Sequence, residues 1–139
     1  MNDVGKLRGS GNGCQPVPNL DREQWAFRHG YKAIAGVDEA GRGPLAGPVV
    51  VSAVILGRHW NPKYHLADSK QLNPKQREDL YQTIFEEAAA VRTITVPASC
   101  VDCINVLQAS LLGMKLAVEQ LVPKADFVLV DGNHYPDLN

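Results

Sequence analysis

No excess of basic residues marks this chain: 14 Lys and Arg stand against 15 Asp and Glu in 139 residues, a net charge of −1. That excludes a broad positive field for nucleic acid, although a local cluster of cations on one face would serve. No apolar run reaches the ~18 residues that a membrane span requires. The first residues are polar and rich in Gly, Asn and Pro, with no apolar stretch of the kind found in a secretory signal. Cysteine is scarce and odd in number, at three, which speaks against a disulfide framework and for a reducing compartment. Internal repeats are absent. What is there, 45% apolar and 21% charged residues, is ordinary for a globular domain of this length. The expectation is one soluble, cytoplasmic, monomeric domain with no membrane partner.

Along the chain, residues 1–18 read as a flexible leader, and residues 19–139 as the domain. Asn19 is placed to cap a short helix that Gly30 stops, with Trp25 and Phe27 as its anchors. Ala33-Ile34-Ala35-Gly36-Val37 reads as a buried strand ending at Asp38-Glu39. A turn rich in Gly and Pro over 40–48 leads to a β-branched strand over 49–56, expected to pair antiparallel with the first. After a loop over 58–72, Asn73-Pro74 with Gln76 makes a capping box. Leu80, Tyr81, Ile84, Phe85 and Ala88 follow at helical spacing, as core. Residues 91–96 alternate as a third strand. Ile104, Leu107, Leu111, Met114, Val118 and Leu121 form the clearest apolar stripe, one helix closed by Pro123. Phe127-Val128-Leu129-Val130 is a short buried strand that delivers Asp131. The order predicts an α/β domain with a mixed sheet flanked by helices. The chain looks cut short after its last strand, leaving that strand's far face and edge without cover.

Asp38, Glu39 and Asp131 therefore sit where apolar strands end. If the two strands are neighbours, the three carboxylates meet, and they repel one another unless a cation neutralises them. Oxygen ligands without His or Cys select Mg²⁺ or Mn²⁺ over zinc, and such a cluster is raw material for two-metal chemistry on a phosphodiester. Any single strand-end acid is more often a solvated terminus. The adjoining Gly41-Arg42-Gly43-Pro44-Leu45-Ala46-Gly47 strengthens the functional reading, because glycines let backbone N–H groups approach a phosphate or a sugar hydroxyl. Its spacing is not that of a dinucleotide fingerprint, and a strand follows where a helix should begin.

Gly36-Val37-Asp38-Glu39-Ala40-Gly41-Arg42-Gly43-Pro44-Leu45-Ala46-Gly47-Pro48-Val49-Val50 resembles the signature of ribonuclease HII, the type 2 ribonuclease H of bacteria. Asp68-Ser69-Lys70-Gln71-Leu72, Ile104-Asn105-Val106-Leu107-Gln108-Ala109 and Val128-Leu129-Val130-Asp131-Gly132-Asn133 resemble the family's next three blocks, in order. The resemblance implies a ribonuclease H-like fold and endonucleolytic cutting of the RNA strand of RNA–DNA hybrids. It also implies incision at single ribonucleotides embedded in duplex DNA, with Mg²⁺ or Mn²⁺ required and 3′-hydroxyl and 5′-phosphate ends produced. By the same resemblance Asp38, Glu39 and Asp131 are the metal-binding catalytic carboxylates. Gly41, Arg42 and Gly43 match the loop that reads the ribose 2′-hydroxyl, and Ser69, Lys70 and Asn105 match positions near the substrate backbone. A fourth aspartate and a tyrosine that packs on the nucleic acid have no match here; Asp137 lies too near Asp131, and Tyr135 is in a different context. The alternative is therefore an inactive or hybrid-binding truncated form of such an enzyme.

Other features carry plainer readings. Cys100 and Cys103 make a lone C-x-x-C, half of a zinc site at most, and read as half-buried residues at a helix start. His59, His65 and His134 read as surface residues.

Overall fold

Alternation is the rule that builds the sheet. Along the strand Val49–Ile55 the odd-numbered residues are buried and the even-numbered ones half-exposed, so one face meets a core and the other does not. The computed structural model describes residues 3–4, 20–41, 47–58, 60 and 72–138. Their order is β1 (Asp3–Val4), α1 (Asp21–Arg28), β2 (Ile34–Ala40), β3 (Val49–Ile55), α2 (Pro74–Glu87), β4 (Ala90–Val96), α3 (Ala98–Ile104), α4 (Val106–Glu119) and β5 (Phe127–Val130). The strands form one mixed sheet in the order β1-β5-β2-β3-β4. β2, β3 and β4 run antiparallel in turn, and β5 lies parallel to β2. This is the expected mixed α/β sheet.

The main core lies between α4 and one face of the sheet. Val49, Val51, Ala53 and Ile55 of β3 and Ala35 and Val37 of β2 cluster with Ala109, Met114, Ala117, Val118 and Leu121. The helix lies very close to the strands: a Cβ on Gly113 would stand 2.7 Å from Val51 Cγ2. A smaller cluster of Ala26, Ile34 and Phe127, bordered by Phe27, Tyr31 and Leu129, lies under α1 on the other face.

Several expectations are corrected. The long stripe is not one helix: Asn105 adopts φ 69°, and α3 and α4 meet there at a bend of 119°. Tyr81 and Phe85 are not core, being 57% and 50% exposed with their rings tilted against each other at 4.6 Å, and α2 buries no residue. α1 is anchored by Ala26, fully buried, and by Phe27, which packs on the same small cluster as expected, while Trp25 is 43% exposed, stacks on His29 and has its ring 6.0 Å from that of Phe127. Its N-cap position is Leu20, with Asn19 outside the described residues. β2 runs through the acids to Ala40 instead of stopping before them. The edge of β5 is covered at Phe127 and Val128, where β1 pairs with it from within the segment read as a leader. Cys100 and Cys103 are free, half-buried and exposed respectively, within α3. No single helix among the described residues is long and apolar enough to cross a membrane.

Candidate metal and nucleic-acid site

Register places the acids. β2 and β5 pair in parallel with Val37 opposite Val130, so Asp38 and Asp131 are the next residues on two adjacent strands. Neighbouring strands lie ~4.8 Å apart, and partners in a parallel pair project to the same side. Both aspartates are exposed. Asp38 Oδ1 accepts the backbone N–H of Glu39 at 2.8 Å.

That register is pinned at the strands' entry. The two carboxylate oxygens of Asp126 accept the backbone N–H groups of Lys32 and Ala33, each at 2.9 Å. The N–H of Asp126 in turn donates to Ala33 O at 2.9 Å. Charge-assisted bonds of this kind hold geometry more firmly than neutral ones. The start of β5 is thus clamped to the start of β2, and both strands reach their aspartates in step. Sequence reasoning passed over Asp126; its only sign was an acid just before the apolar run.

Glu39 follows one position on. Alternation turns it to the face covered by α4, opposite Asp38, and its register partner is Val51, the residue against which Gly113 rests. Its Oε2 is buried. Register therefore carries Asp38 and Asp131 one position past the facing pair Val37 and Val130, both exposed, and turns Glu39 to the other face. Among the described residues no three His, Cys, Asp or Glu side chains gather closely enough to hold a metal ion. The pair still fits a hard divalent cation in donor chemistry, offering only carboxylate oxygens at an exposed position. Space is available as well, because Gly36, two residues before Asp38 on the same face, is exposed and a Cβ there would meet nothing within 4 Å.

Gly41 ends this stretch with φ 88°, and a Cβ on it would stand 2.5 Å from Pro48 O, so only glycine lets the two ends of the turn approach. Arg42, Gly43, Ser69 and Lys70 lie outside the described residues. Asn105 is exposed and caps α4, its Oδ1 accepting the N–H of Gln108 at 3.0 Å. β4 runs in the same direction as β2, so the chain leaves it at the acid-bearing end of the sheet before reaching Asn105. His134 is exposed, as expected.

The chain as a whole resembles known proteins. The family model described as Ribonuclease HII matches residues 35–139. A ribonuclease HII of Syntrophus aciditrophicus is 48% identical over 117 residues, covering 84% of this chain and 55% of that protein. One from a Polaromonas species is 52% identical over 105 residues, covering 76% and 52%. The chain thus spans about half the length of the curated relatives it matches. Among solved structures, the ribonuclease H2 of Pyrococcus horikoshii aligns with a TM-score of 0.54 at 28% identity, over 73% of this chain and 52% of that one. A Bst-RNase HIII solved in complex with Mn²⁺ aligns with a TM-score of 0.60 at 19% identity, over 92% and 46%, and shares the fold. The match runs through both strands that carry the acids, and the chain belongs to the ribonuclease HII family.

Proposed function

We propose that this chain cuts the RNA strand of RNA–DNA hybrids, including single ribonucleotides embedded in duplex DNA, with the help of Mg²⁺ or Mn²⁺. The observation that supports the reading is the parallel pairing of β2 with β5, in which Val37 is opposite Val130 and the two aspartates come next along the chain. In this reading Asp38, Glu39 and Asp131 would hold the cations, Asp38 and Asp131 from the open face, while Glu39 stands at the next position of β2 with its side chain turned toward α4. Divalent ions bound there would supply polarisation of the scissile phosphate and a lowered pKa for the attacking water. Water adds to phosphorus and the bond to O3′ breaks, which leaves a 3′-hydroxyl and a 5′-phosphate. Gly41, Arg42 and Gly43 read the 2′-hydroxyl, the group that separates RNA from DNA at a site. Ser69, Lys70 and Asn105 contact the backbone, where they fix position without reading bases.

The test is cleavage of a duplex carrying one ribonucleotide, with Mg²⁺ or Mn²⁺, by this chain and by its Asp38→Asn variant. The expected loss in the variant is on the order of 10³-fold or more, with the melting temperature little changed. Equal inertness of both proteins overturns the reading for this polypeptide. A second reading, hybrid binding without cutting, is favoured by the lack of a gathered three-ligand group among the described residues. It predicts that both proteins retain the duplex in a binding assay while neither cuts it.

A further inference from the structure

The same register that aligns the two aspartates continues across the sheet. Asp38 is opposite Ser52 on β3, and Ser52 is opposite Thr93 on β4. Cross-strand partners share a face, so Asp38, Ser52 and Thr93 form one line perpendicular to the strands, on the side that α4 does not cover, and Asp131 follows Val130, the last residue of β5 paired with β2. The two hydroxyls are hydrogen-bonded to each other at 2.9 Å and exposed. Of the two neighbouring lines on this face, that of Leu129, Gly36, Val54 and Val91 offers no polar side chain and the space over Gly36 is open, while that of Ala40, Val50 and Thr95 offers the hydroxyl of Thr95 alone. With strands ~4.8 Å apart, the hydroxyl pair begins one strand away from Asp38 and ends about 10 Å away.

We propose that Ser52 and Thr93 bind the sugar–phosphate backbone of the nucleic acid beside the cutting site, an inference that rests on the functional reading above. Their chemistry suits it. A hydroxyl both donates and accepts, and in a mutually bonded pair one proton remains to be offered outward. Ser and Thr hydroxyls are ordinary partners of phosphate and sugar oxygens, contacts that set register on a duplex without reading sequence. Being neutral, the pair extends the acidic site without repelling a polyanion, as further carboxylates would.

The experiment uses the full chain and the double variant Ser52→Ala/Thr93→Ala. Affinity for an RNA–DNA hybrid is measured in chelator, so that no cutting occurs, and kcat and KM are measured with Mg²⁺. Binding is expected to weaken roughly three- to tenfold, the range for loss of one or two neutral hydrogen bonds. KM should rise by a similar factor with kcat nearly unchanged. Hybrids of unrelated sequence should lose equally, and the slope of affinity against salt should hold, since no charge is removed. The swap Ser52→Thr/Thr93→Ser keeps both hydroxyls and should restore binding. A wild-type chain that does not bind the hybrid overturns the functional reading and this inference with it. A wild-type chain that binds, with the double variant binding equally well, overturns this inference alone. A loss of affinity matched by a large fall in melting temperature and not restored by the swap shows a merely structural pair, and also overturns it.

Discussion

α2 and α4 are both fourteen residues long, yet α4 buries six residues and α2 buries none. α4 is held by what lies beneath it: Met114, Ala117 and Val118 meet the apolar face of β3, and Gly113 permits the close approach. α2 is held by rules local to its own chain. Asn73 accepts the N–H of Gln76 at 2.8 Å, Gln76 returns a bond to the N–H of Asn73 at 3.0 Å, and Pro74 stands in the first turn. The comparison teaches that a helix can be well specified in sequence without contributing to the core. One helix is stabilised by burial, the other by its end.

That contrast is open to attack by mutation, and the effects should fall in a fixed order. Leu121→Ala, in the segment that follows α4, removes a side chain 1% exposed in the main core and should cost about 2–5 kcal/mol in chemical denaturation. Asn73→Ala removes the cap of α2 and should cost about 1 kcal/mol, seen as lost helical circular dichroism before the global transition. Phe85→Ser, half-exposed on α2, should change stability by no more than about 0.5 kcal/mol. If Phe85→Ser proves as damaging as Leu121→Ala, the contrast between the two helices collapses.

Much of the architecture is legible in the residues themselves. The capping box at Asn73, the antiparallel pairing of β2 with β3 and the apolar strand that delivers Asp131 all follow from local chemistry. Helical spacing at Tyr81 and Phe85 reveals a stripe but not whether anything lies opposite it. The break at Asn105 is hidden because the apolar spacing continues across it, while the φ of 69° and ψ of 165° belong to a conformation that glycine, and not Asn, would have signalled. The face taken by Glu39 depends on whether β2 stops before the acids, and it is pairing with β3 that carries the strand onward to Ala40. Asp38 and Asp131 were recognisable one at a time, from the motif around each. The line that Asp38 forms with Ser52 and Thr93 was not, because it exists only once the registers of three strands are fixed together.

The clamp at Asp126 has a consequence for how this protein tolerates change. β5 has only four residues, and each could be exchanged for another branched apolar residue with little disturbance. Losing or gaining one residue between the clamp and Asp131 is a different matter, since it would swing that aspartate to the back of the sheet while leaving the strand as oily as before. In this segment spelling is negotiable and length is not.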